Sequence, residues 1–100
     1  MMFKLTEVQR QDEKIQVKLD GILNQRNLPI LTDCLEDYVK SGIKEFHLGV
    51  HGVPFIEKIA RQYLVNLQHR GFKIHLQNPS HFLRKLIETW ELHNWVKAEE

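Results

Sequence analysis

Hydrophobic positions change their spacing several times along the chain, and each change marks an element. Residues 3–9 alternate in part, with Phe3, Leu5 and Glu7 on one side and Lys4 and Thr6 on the other. After the polar turn Gln11-Asp12-Glu13-Lys14, residues Ile15, Val17 and Leu19 alternate with Gln16, Lys18 and Asp20 up to Gly21. Such alternation predicts strands, because successive side chains leave opposite faces of an extended backbone. Two strands joined by so short a turn predict an antiparallel hairpin.

From Asn27 the period lengthens. Leu31, Cys34, Leu35, Tyr38 and Val39 form an apolar stripe opposite Asp33, Glu36, Asp37 and Lys40. Pro29 suits a first helical turn, Asn27 or a neighbour is placed to cap it, and Ser41-Gly42 supplies a stop. Residues 45–50 predict a third strand. A second helix is expected over 57–70, with Ile56, Ile59, Ala60, Tyr63, Leu64 and Leu67 inward and Gly71 ending it. A strand over 72–77 follows, and Asn78-Pro79-Ser80 opens a third helix. Its stripe is Phe82, Leu83, Leu86, Ile87 and Trp90, and its end is expected near Leu92-His93-Asn94.

The resulting order, ββαβαβα, predicts an α/β fold with a mixed, mostly parallel four-stranded sheet, since strand–helix–strand units form right-handed parallel crossovers. A single domain over 1–96 is expected, with 97–100 as a frayed tail. The 100 residues suit one core. The 42% hydrophobic and 27% charged fractions fit a folded, solvated domain.

Charge and cysteine usage narrow the function. Lys and Arg total 14 against 13 acids, a net charge of +1, and the bases are scattered beside acids. That is not the concentrated basic footprint of a nucleic-acid binder. Cys34 is the only cysteine, which excludes an internal disulfide and any zinc site built from several cysteines of one chain; it reads as a small buried hydrophobe. No apolar run approaches the roughly 20 residues of a membrane span, and no signal-peptide core follows Met1. A cytoplasmic setting without membrane insertion is expected.

In a parallel sheet, binding chemistry gathers where strands end and helices begin. The segment from Gly49 to Lys58 has that position and carries Gly49, His51, Gly52 and Pro54 between a strand and an apolar-periodic helix. Here the chain resembles the STAS family, the domains of sulfate transporters and anti-sigma-factor antagonists. The family pattern is a hydrophobic strand, Asp-Leu-Ser, Gly-Val, an apolar pair, then Asp-Ser opening a helix. Phe46-His47-Leu48-Gly49-Val50-His51-Gly52-Val53-Pro54-Phe55-Ile56-Glu57-Lys58 lies along it without a gap. Leu19-Asp20-Gly21, Gly71-Phe72-Lys73-Ile74 and Asn78-Pro79-Ser80 extend the resemblance over nearly the whole chain.

The resemblance implies a helix-start hydroxyl phosphorylated by a partner kinase. Lys58 stands at that phosphoacceptor position and Gly49 at the strand-end Asp, while Glu57 keeps the acid before it. Without a hydroxyl, Lys58 cannot carry the phosphate that a helix N-terminus would stabilise. Thr32, Ser41 and Ser80 are hydroxyls that nothing singles out. His51, Gly52, Glu57, Lys58, Arg61 and Gln62 are the expected partner-docking residues, against the alternative that Glu57 and Lys58 are merely a solvated pair.

Other chemistry is thinner. His47 and His75 are expected to neighbour one another on adjacent parallel strands as satisfied histidines, with no metal and no cofactor. His51 with Glu57 has the types for an acid–base pair, but no nucleophile stands at a recognisable spacing, and the chain reads as non-catalytic. Lys58 and Arg61, with His81, Arg84 and Lys85, are a charged face suited to an anion or simply to water. Trp90 reads as core, and Trp95 as a sheet-edge cover or an anchor in a partner or homodimer interface. The expected function is a bacterial, non-catalytic protein-interaction module whose partner is an anti-sigma factor or a switch kinase. A nucleotide- or lipid-sensing domain and an accessory subunit of a transport complex are the alternatives.

Overall fold

Alternating runs become strands and longer-period runs become helices. The computed structural model describes residues 2–90 and Trp95. It contains β1 (Lys4–Gln11), β2 (Lys14–Asp20), α1 (Leu28–Lys40), β3 (Glu45–Gly52), α2 (Lys58–His69), β4 (Lys73–Gln77) and α3 (His81–Thr89). The expected tail at 97–100 lies outside the described residues, as do Leu92, His93 and Asn94. The third helix stops short of them, with Trp90 as its C-cap residue.

The sheet has the order β1-β2-β3-β4. β1 and β2 form the antiparallel hairpin, Gln11 pairing with Lys14 beside a turn in which Asp12 has φ 55°. Asp tolerates this left-handed conformation better than most residues. β2 pairs with β3, and β3 with β4, in parallel. The fold is therefore the mixed, mostly parallel α/β sheet that the order of elements requires.

Alternation assigns the two faces. Ile15, Val17, Leu19, Phe46, Leu48, Val50, Ile74 and Leu76 point into one core cluster. The same cluster receives Leu31 and Leu35 from α1, Ala60, Leu64 and Leu67 from α2, and Leu83 and Ile87 from α3. Fully burying a Leu, Ile or Phe side chain stabilises the fold by about 1.5–3 kcal/mol. The opposite face of the sheet carries Gln16, Glu45, His47, His75 and Gln77 (see below).

Several packing expectations are corrected. Ile59 is 42% exposed and Phe82 is 62% exposed, because the inward lines of their helices are set by Ala60-Leu64-Leu67 and by Leu83-Ile87. Cys34 is half-buried rather than buried. Burial raises its thiol pKa, and a hydrogen bond involving Tyr38 offsets this in part. Trp90 is half-buried at the surface, whereas Trp95 is fully buried in the core instead of covering an edge or anchoring an interface. Asn27 does not cap α1 with its side chain; its side-chain amide donates to the Ile22 carbonyl at 2.9 Å.

Candidate functional site

The junction between β3 and α2 is held from one side by the segment leaving β2. Gly21 donates its backbone N–H to Gly52 O at 2.9 Å, Leu23 to Phe55 O at 3.1 Å, and Glu57 to Leu23 O at 2.8 Å. Leu23 and Ile56 form a parallel bridge and are both fully buried. Two glycines around this junction have no room for a side chain, Gly21 against the start of the chain and Gly52 against the end of β2. At Gly21, with φ +109°, a Cβ would lie 2.9 Å from Phe3 Cα, a backbone atom that cannot swing aside. At Gly52 a Cβ would strike the Asp20 carboxylate. Gly52 is thus a spacer within the junction.

Glu57 is the N-cap residue of α2 in an extended conformation, yet its side chain does not cap the helix. Its carboxylate instead accepts from the Gln25 N–H at 3.0 Å, which places it with Asn24, Gln25 and Arg26 on one side of the junction. No hydrogen bond among the described residues joins it to exposed His51. Lys58 is the first helical residue and falls on the other side. There Lys58, Arg61 and Gln62 line an open groove of about 480 Å³ with Val65, Asn66 and Trp90.

The six expected docking residues therefore separate. Lys58, Arg61 and Gln62 come together, Glu57 lies with Asn24, Gln25 and Arg26, Gly52 sits against the Asp20 carboxylate, and His51 lines neither hollow. The aromatic floor was missed. Arg61 Cζ lies 4.0 Å from the Trp90 ring centroid, and Phe55 meets Trp90 edge-on at 6.2 Å and 80°. A cation over an indole face is attracted by the ring quadrupole. Burial also lowers the guanidinium pKa of Arg61. Lys58 is exposed, and one helical turn separates it from Arg61 and Gln62, which puts them on one flank of α2. Phe55 and Ile59, at 38% and 42% exposure, add apolar surface near the helix start.

A second polar cluster lies on the sheet face opposite the core. The register pairs Gln16 with His47 and His47 with His75. The two imidazoles stack at 4.6 Å with 22° between their planes, the juxtaposition that the strand pattern implied. Glu45 joins them from two residues upstream of His47, with Oε2 2.7 Å from His47 Nε2 and 3.4 Å from His75 Nε2. Burial pushes the Glu45 carboxyl upward. The hydrogen bond with His47 and the positive charge around it prevail, and its pKa is lowered.

A β-hairpin continued by two parallel strand–helix–strand units gives this chain the STAS fold. Two solved structures of SpoIIAA share it. The anti-sigma-factor antagonist SpoIIAA in its unphosphorylated form matches 97% of this chain and 90% of its own, with TM-score 0.73 and 16% identity. SpoIIAA in its phosphorylated form, described as a Bacillus cell fate determinant, matches 97% and 93% with TM-score 0.69 and 16% identity. A further structure, Mglu, matches 73% of this chain and 19% of its own at TM-score 0.56 and 21% identity. No family model and no curated protein matches the sequence. Among the described residues, no helix is long and apolar enough to cross a membrane.

Proposed function

We propose that the chain is a non-catalytic interaction module of the anti-sigma-factor-antagonist type, working in the bacterial cytoplasm and docking a regulatory protein on the groove beside α2. One observation carries this reading. Lys58, Arg61 and Gln62 line the groove with Trp90, so positive charge and a large aromatic surface meet at the helix start of a fold shared with an anti-sigma-factor antagonist. Arg and Trp are the residues most often found as binding hot spots.

Lys58 takes the place of the phosphoacceptor, and the first turn, Lys58-Ile59-Ala60-Arg61, contains no hydroxyl. The partner-binding state is then permanent rather than switched. An anti-sigma factor or a switch kinase is the partner class that fits, and positive charge on the groove favours an acidic patch on it.

The test uses the intact chain as bait in native extract, beside Arg61→Glu and Lys58→Glu variants shown by circular dichroism to be folded. The expected result is a stoichiometric protein partner retained by the wild type and lost from both variants. A partner held equally well by all three places the interface elsewhere. Native mass spectrometry of the isolated chain distinguishes the ligand-sensing alternative, which requires a bound small molecule.

A further inference from the structure

We propose that Glu45, His47 and His75 form a binding site for a Zn²⁺-class divalent cation on the sheet face opposite the core. The inference is independent of the docking groove and rests on which donors the strand register brings together.

Three potential ligand atoms, one from each residue, lie within 4.8 Å of one another. Two belong to rings facing each other across adjacent strands, His47 opposite His75. The third is a carboxylate whose Oε2 is approached by both Nε2 atoms. Strand pairing sets these positions, and sites on regular elements hold their geometry better than sites on loops.

The distances suit a small tetrahedral ion after a short rearrangement. Metal–ligand bonds of about 2.0–2.1 Å place neighbouring ligand atoms about 3.3 Å apart in a tetrahedron. The Glu45–His75 separation is already 3.4 Å. The Glu45–His47 contact, at 2.7 Å, must open when the metal replaces the shared proton. The stacked rings must also fan apart so that both Nε2 lone pairs converge.

Outer partners are available to orient His47. Gln77 Nε2 lies 3.5 Å from His47 Nδ1, and Gln16 Nε2 lies 3.2 Å from Gln77 Oε1. Oxygen and nitrogen of an amide exchange places by a simple flip. If the Gln16 and Gln77 amides turn over together, Gln77 presents its oxygen to Nδ1–H and leaves Nε2 of His47 for the metal. Metal-bound histidines characteristically use such a partner. His47 also borders a cleft of about 200 Å³ shared with Gln9, Gln11, Lys14 and Gln16, where water or an anion can complete the coordination.

The donor set selects the ion. Two imidazoles and one carboxylate suit Zn²⁺ and late first-row divalents, whereas Mg²⁺ and Ca²⁺ require mainly oxygen ligands. With three protein ligands the site is open, as catalytic zinc sites are and four-ligand structural sites are not. The inference is confined to binding.

The test titrates the full chain with ZnCl₂ by isothermal calorimetry and with CoCl₂ by visible absorption, comparing wild type, Glu45→Gln and His75→Gln. Thermal melts confirm that each variant is folded, and these partly exposed positions are chosen over buried His47 for that reason. The wild type should bind one Zn²⁺ per chain and give a tetrahedral or five-coordinate Co²⁺ spectrum. Each variant should weaken binding by at least about 10-fold, the smallest loss typical of an outer-shell partner and less than a direct ligand should cost. Absence of binding at millimolar zinc, or binding unchanged in both variants, overturns the proposal.

Discussion

Arg61 shows how the site depends on one side chain. It is half-buried, and its guanidinium lies over the Trp90 ring, so that the charged head itself covers the indole face at the groove. Arg61→Ala should therefore expose Trp90 and shift its fluorescence to longer wavelength; fully buried Trp95 supplies an internal reference. The glycines separate in a different way. Gly21→Ala forces a Cβ onto backbone atoms at a positive φ, an expected loss of about 1–3 kcal/mol. Gly52→Ala meets only the Asp20 carboxylate as its close contact, which can rotate away, and should cost less in urea unfolding. Glu36 provides the pH dependence. Hydrogen bonds from Arg70 and Tyr63 lower its carboxyl pKa from 4.5 to about 2. A depressed folded-state pKa contributes stability that is complete above the unfolded value and is lost as pH falls through the folded one. Wild type should thus lose stability relative to Glu36→Gln between pH 4.5 and about 2, by a small amount because the pair is largely exposed and screened by salt.

The helices differ in how their ends are secured. Ser80 caps α3, its Oγ accepting from the Leu83 N–H at 3.1 Å. Ser80→Ala should cost about 1 kcal/mol and Ser80→Asp almost nothing, as measured by chemical denaturation. The start of α2 has no side-chain cap and is fastened through backbone pairing to Leu23. That is compatible with a junction whose side chains face a partner. Inside α2, Leu64→Ala should cost about 2–5 kcal/mol, detectable as a large fall in melting temperature. The existence and order of all seven elements were legible because period-2 and longer-period runs are local properties. Which apolar residues were inward was only partly legible. Ile59 and Phe82 join the stripes on hydrophobicity alone, but neighbouring elements fix each helix's rotation about its axis. The two tryptophans depart from their expected roles: Trp90 is the C-cap residue of α3 and only half-buried, while Trp95 lies in the core.

At the scale of the molecule, the sheet separates two kinds of surface. One face joins the core and orders the β3–α2 junction beside it; the other holds Glu45 and the paired histidines. The junction was legible because its glycines, proline and charged helix start are contiguous in the chain. Its division was not, since Glu57 turns to Gln25 through a contact 32 residues apart in sequence, and Trp90 reaches the groove from another helix. Likewise, His47 and His75 could be paired from strand order, but the Glu45 carboxylate reaches the Nε2 atoms of both only through the geometry of the side chains. The most direct measurement is partner retention by wild type and Arg61→Glu in native extract, with circular dichroism confirming equal folding. A stoichiometric protein partner held by the wild type and lost from Arg61→Glu is the predicted result; equal retention by both would contradict docking at the α2 groove.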